Sequence, residues 1–182
     1  MRGLSLQTCK NAYNPRHCHS LNFSQQKTLT FNELQNNVAK VAHSFKKMGL
    51  SKGDRVAAVI PNIPEAVIAM LATTSIGAIW SSCSPDFGIE GILDRFSQIN
   101  PKMIICSDGY FYKGKEFNYK EKINRILNSL NTVENVIIAN YINNGSSNWH
   151  ELLDNNSVSI NFEQVSFSHP LYIMYSSGTT GK

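Results

Sequence analysis

Two spacings of apolar residues alternate along this chain. From Leu34 onward, Val38, Val41, Ala42, Phe45 and Met48 recur every three or four positions with Lys40, Lys46 and Lys47 turned outward, which predicts an amphipathic helix. Thr30 and Glu33 form a T-x-x-E capping box at its start, and Gly49 suits a left-handed stop at its end. The continuous run Val56-Ala57-Ala58-Val59-Ile60, bounded by Gly53 and Pro61, predicts a strand buried on both faces. Pro64 and Glu65 fit the first turn of a second helix reaching about Ile76, and residues 78–83 predict a second strand. Asp86 is expected to cap a third helix, with Ile89, Ile92, Leu93 and Phe96 on its inner face and Glu90, Asp94 and Arg95 toward water.

Pro101 closes that unit ahead of a strand at residues 103–107. Residues 108–117 read as a loop of glycine and aromatics, leading to a fourth helix with Tyr119, Ile123, Ile126, Leu127 and Leu130 on one stripe. A strand at residues 136–139, a polar turn at 143–147, a short helix at 149–153 and a last apolar strand at 171–175 complete the pattern. Strands alternating with helices predict an α/β fold, a mostly parallel sheet with helices on both faces and right-handed crossovers. Ligands of such folds bind beyond the carboxyl ends of the strands. Trp80 and Cys83 lie in an apolar strand and are expected to pack in the core rather than line a pocket.

Composition narrows the classes without naming a function. The 182 residues, 42% hydrophobic and 16% charged, suit one globular domain. A net charge of +4 arises from scattered residues and not from a basic stripe, so nucleic acid is not an expected partner. Cys9, Cys18, Cys83 and Cys106 make no C-x-x-C pair, so neither a zinc site nor a disulfide framework is expected, and the cluster His17-Cys18-His19 is given no metal role. Residues 63–80 reach transmembrane length, but Pro64, Glu65, Thr73, Thr74, Ser75 and Gly77 dilute them, so no transmembrane segment is expected. The first 32 residues, of which 1–27 read as a leader, carry Arg2, Lys10, Arg16 and Lys27 with no acid before Glu33, a composition shared with mitochondrial transit peptides. Pro15 and the absence of a clear amphipathic helix favour an unstructured leader.

The chemistry concentrates at the C-terminus, in Tyr175-Ser176-Ser177-Gly178-Thr179-Thr180-Gly181-Lys182. Two glycines flanking two threonines let backbone amides approach an anion, while hydroxyls donate hydrogen bonds and Lys182 adds charge. Only Thr179 and Thr180 separate Gly178 from Gly181, so this is not a Walker A loop, and no G-x-G-x-x-G follows the first strand. From spacing alone a flexible Ser/Gly/Thr linker remains an equal alternative to a polyphosphate cradle.

The same eight residues resemble the phosphate-binding signature of the adenylate-forming enzymes, the family of acyl-CoA synthetases, luciferases and nonribosomal adenylation domains. The stretches at residues 80–88, 93–102 and 167–174 are similar to the acetoacetate-activating branch of that family. The resemblance runs from about residue 28 to 182 and implies a partial N-terminal adenylate-forming domain that stops within the signature. It implies ATP, Mg2+ and coenzyme A as cofactor and co-substrates, with acetoacetate activated through an acyl-adenylate and released as acetoacetyl-CoA. Ser176, Ser177, Thr179 and Thr180 would bind the β- and γ-phosphates, Gly178 and Gly181 would allow close approach, and Lys182 would add positive charge. In related enzymes the loop matching residues 108–115 holds the 3′-phosphate of coenzyme A with arginines; here Lys113 and Lys115 are the available cations and Tyr112 stands where one arginine is expected. Solvated lysines are the competing reading there.

The resemblance places the remaining catalytic groups downstream of Lys182, so the 182 residues alone are expected to be inactive and to expose the strand at 171–175 as an apolar edge. Two alternatives stay open: an acetate or propionate ligase, and a short non-catalytic binding protein. The cytosol is the expected location, with mitochondria the minority alternative.

Overall fold

A computed structural model describes residues 29–112, 115–142, 145, 147–153 and 159–175. The leader, the His17-Cys18-His19 cluster and the signature from Ser176 to Lys182 lie outside these residues. Helix α1 spans Phe31–Lys47 behind the capping box: the Glu33 amide donates to Thr30 Oγ1 at 3.2 Å and the Thr30 amide donates to Glu33 Oε2 at 2.7 Å. These bonds hold the Glu33 carboxyl below the usual carboxylate range, the backbone amide of Thr30 contributing most. Gly49, at φ +85°, then reverses the chain in the left-handed region.

Strand β1 (Arg55–Val59), helix α2 (Pro64–Ser75), β2 (Ile79–Cys83), α3 (Ile89–Ile99) and β3 (Met103–Ser107) follow as two crossover units. A two-stranded hairpin, β4 (Gly109–Tyr112) and β5 (Lys115–Asn118), precedes α4 (Lys120–Ser129), β6 (Asn135–Ala139) and a 3-10 turn at Trp149–Leu153. The main sheet runs β2-β1-β3-β6 with all three pairings parallel; Val56 lies opposite Trp80 on one side and Met103 on the other. Alternate residues feed two cores. Val56, Ala58, Met103 and Ile105 join the α1 and α2 side with Phe45, Ile68 and Trp149, whereas Ala57, Val59, Ile104 and Cys106 join α3 and α4 through Ile92, Phe96 and Ile126. This is the expected α/β sheet with helices on both faces, and Trp80 packs in the first core.

Four local expectations are corrected. Gly88, not Asp86, is the N-cap of α3, and it forms no side-chain cap bond. The carbonyls of Pro85 and Phe87 are held by another helix, which delays the first helical turn to Ile89. Residues 108–117 form most of a hairpin rather than a loop, because Tyr110 stacks on its cross-strand partner Phe117 with centroids 5.1 Å apart. Arg95, expected toward water, is half-buried between aromatic rings. Residues 171–175 are no strand: one parallel bridge, Trp80 to Tyr172, joins them to β2, and Leu171, Tyr172 and Met174 are exposed. The polar turn at 143–147 is described only at Gly145 and Ser147, whose hydroxyl donates to the Ile138 carbonyl at 2.9 Å.

Candidate functional site

The connections around β1 part in opposite directions, since β1 feeds α2 on one face while its neighbours β2 and β3 feed α3 and α4 on the other. Ligands of open α/β sheets settle at the carboxyl ends beside such a divergence. Three pieces of chain meet there: residues 84–88 after β2, the β4–β5 hairpin after β3, and residues 171–175 beside β2.

Each piece is fixed by named side chains. Asp108 is buried at the foot of the hairpin, where its Oδ1 accepts the amides of Tyr141 at 2.7 Å and Ile142 at 2.9 Å, tying the end of β3 to the chain after β6. Gly109 next to it has no room for a side chain, because a Cβ would collide with Ile142 Cδ1 and with the Phe117 carbonyl oxygen. Residues 84–88 are braced from α4. The Tyr119 hydroxyl donates to the Pro85 carbonyl, and Lys122 Nζ donates to the carbonyls of Pro85, at 2.9 Å, and Phe87. Lys122 also sits 4.6 Å from the Tyr119 ring centroid and 5.9 Å from that of Tyr110, a cation–π arrangement that reaches the hairpin.

Burial sets the ionisation of this cluster. Desolvation lowers the Lys122 ammonium, with Cys83 and Asp86 opposing it, and raises the Tyr119 hydroxyl. The thiols of Cys83 and Cys106, opposite Val59 on either side, are both pushed up to about 12 by desolvation, so they stay protonated near neutral pH and are poor nucleophiles.

The last piece arrives as a strap. The Glu163 amide donates to the Ser75 carbonyl at 2.8 Å, His169 Nε2 lies 2.8 Å from the Gly77 carbonyl oxygen, and Lys52 Nζ donates to the Gln164 carbonyl at 2.8 Å. Beyond it Trp80 N donates to the Leu171 carbonyl and Ile173 N to the Trp80 carbonyl, both at 2.9 Å, so this segment runs parallel to β2 and brings Tyr175 to the carboxyl edge. Among the sequence candidates, Tyr112 and Lys115 face each other near the hairpin tip and are exposed, while Lys113 and Ser176, Ser177, Gly178, Thr179, Thr180, Gly181 and Lys182 lie outside the described residues. A separate cleft of about 380 Å³ opens beside the start of α2, lined by Glu65, Asn140, Gly145, Ser147, Trp149 and His150.

The family model described as AMP-binding enzyme matches residues 10–182, nearly the whole chain. The chain belongs to this family. Within it, the chain is 44% identical over 167 residues to the acetoacetyl-CoA synthetase of Macaca fascicularis and 45% identical to that of Gallus gallus, covering 84% of itself and 25% of each relative. The solved acetoacetyl-CoA synthetase from Streptomyces lividans superposes with a TM-score of 0.81 at 39% identity, over 85% of this chain and 24% of that one. The chain thus spans about a quarter of the length of the relatives it matches.

Sequence reasoning missed Arg95, Tyr119 and Lys122 as braces of the site. The i, i+3 spacing of Tyr119 and Lys122 places both on one side of α4, which was a usable signal, but the carbonyls they hold lie more than 30 positions away.

Proposed function

We propose that this chain is the N-terminal part of a ligase that joins acetoacetate to coenzyme A at the expense of ATP. The observation that carries the reading is the 44–45% identity to acetoacetyl-CoA synthetases, sustained over 84% of the chain. In the proposed reaction an acetoacetate oxygen attacks the α-phosphorus of ATP and pyrophosphate leaves. The thiolate of coenzyme A then attacks the acyl carbon and AMP leaves. The first step brings two anions together, so positioning and offset of charge dominate over acid–base work.

Ser176, Ser177, Thr179 and Thr180 supply hydroxyl donors to the β- and γ-phosphates, Gly178 and Gly181 admit the backbone, and Lys182 adds charge. The arrival of Tyr175 at the carboxyl edge of a parallel sheet supports that placement. Tyr112 and Lys115, exposed near the hairpin tip, together with Lys113 suit the phosphate of coenzyme A, the lysines as point charges rather than a bidentate fork and Tyr112 by stacking. Magnesium would enter with ATP and neutralise phosphate charge there; among the described residues no cluster of three His, Cys, Asp or Glu gathers.

The test is pyrophosphate release by the full-length protein with acetoacetate, acetate and propionate offered separately. Release that depends on acetoacetate, at kcat/KM at least about tenfold above the other two acids, is expected for a pocket that hydrogen-bonds the extra carbonyl. Preference for acetate or propionate would move the assignment to another carboxylate, and no release with any acid would overturn the ligase reading.

A further inference from the structure

We infer that Arg95 is a positioning residue that locks residues 171–175, which lead into the signature, to the loop at residues 84–88. The inference rests on the reading of Ser176–Lys182 as a polyphosphate loop for its functional meaning, though not for its geometry. After Tyr172 the strap has little backbone pairing to guide it: Ile173 N donates to the Trp80 carbonyl, and Ser81 Oγ donates to the Ile173 carbonyl at 2.9 Å. Two residues later Tyr175 is held by Arg95 in two ways. Its hydroxyl donates to the Arg95 carbonyl at 2.6 Å, and its ring centroid lies 5.6 Å from the guanidinium carbon.

The same guanidinium carbon lies 4.5 Å from the Phe87 ring centroid, while Nη1 donates to the Gly91 carbonyl at 2.6 Å. Phe87 is itself held through its carbonyl by Lys122, which lies over Tyr110 of the hairpin. Contacts therefore run from Tyr175 through Arg95, Phe87 and Lys122 to Tyr110, joining all three pieces of chain at the carboxyl edge. A planar guanidinium can stack on two rings at once, whereas an ammonium at the same place offers a point charge and no plane. Arg95 is half-buried on the surface of α3, so its replacement leaves the core residues Ile92 and Phe96 in place.

The experiment uses the full-length protein with Arg95→Met, Arg95→Lys and Tyr175→Phe. Amide hydrogen exchange is read at Ile173 and Phe87, with Ile104 and Ile105 of β3 as the reference, and MgATP affinity is titrated in parallel. Arg95→Met should speed exchange at Ile173 and Phe87 by about tenfold, the size of a partly desolvated cation–π tie, and weaken MgATP to a similar extent. Arg95→Lys should fall between parent and Arg95→Met, and Tyr175→Phe should affect Ile173 more than Phe87. Unchanged exchange at Ile173 and Phe87 would overturn the inference, as would a uniform rise that includes β3, which marks a merely structural role. If the parent binds no MgATP, the polyphosphate reading fails in this chain, and exchange alone decides the role of Arg95.

Discussion

Strand β3 and residues 171–175 are both five-residue apolar runs, Met-Ile-Ile-Cys-Ser and Leu-Tyr-Ile-Met-Tyr, yet they meet opposite fates. Every residue of β3 is buried, with β1 on one edge, β6 on the other and a helical layer on each face. Residues 171–175 pair with the sheet through one backbone bridge, with Leu171 44% and Met174 85% exposed, and Phe167 just before them fully exposed. An apolar run states what environment would suit it, but burial is supplied by neighbours on both edges and both faces. In this chain β3 has all four and the strap has half of one.

Substitutions and a change of pH sharpen that contrast, in order of decreasing effect. Phe96→Ala, in the core that covers β3, should cost about 3–5 kcal/mol in urea unfolding, the usual toll for truncating a buried aromatic. Raising the pH attacks the same core more gradually. Because the Cys83 and Cys106 thiols are raised from 9.0 to about 12, the folded state keeps protons that the unfolded chain releases above pH 9. Their contribution is fully present below pH 9 and is lost as the pH rises from 9 towards 12. Urea midpoints across that window should fall less steeply in Cys106→Ser than in the parent.

Gly109→Ala forces a Cβ into Ile142 and the Phe117 carbonyl and should cost about 1–3 kcal/mol, with NMR shifts confined to the hairpin and residues 139–142. Thr30→Ala removes the cap of α1 and should cost about 1 kcal/mol by thermal unfolding. Smallest of all, Leu171→Ala should change stability by no more than ~0.5 kcal/mol. The companion change Phe167→Ser should reduce concentration-dependent association in sedimentation velocity without shifting the melting temperature, since exposed apolar clusters drive contact between molecules. A loss at Leu171 comparable to that at Phe96 would dissolve the comparison.

The contrast also explains what was legible in the sequence. Elements held by local rules, such as the Thr30–Glu33 box, the Pro64 start of α2 and the helical stripe of α4, could be placed within a residue or two. The parallel sheet followed from their alternation. Features fixed by distant partners could not: the hairpin depends on Tyr110 meeting Phe117, the start of α3 on Lys122 and Tyr119 holding residues 84–88, and the burial of Arg95 on Phe87 and Tyr175. Resemblance at the signature proposed a candidate site in residues that lie outside the described ones, whereas the braces at the carboxyl edge come from α3 and α4 and carry no local motif.

Isothermal titration of MgATP into the full-length protein, beside the variant carrying Thr179→Ala and Thr180→Ala, tests the central reading of the signature most directly. Saturable binding by the parent is predicted, weakened about tenfold or more in the variant at an unchanged melting temperature, because two hydroxyl bonds to a charged phosphate are lost. Equal affinity in both proteins, or no binding by the parent, would contradict a polyphosphate cradle at Ser176–Lys182.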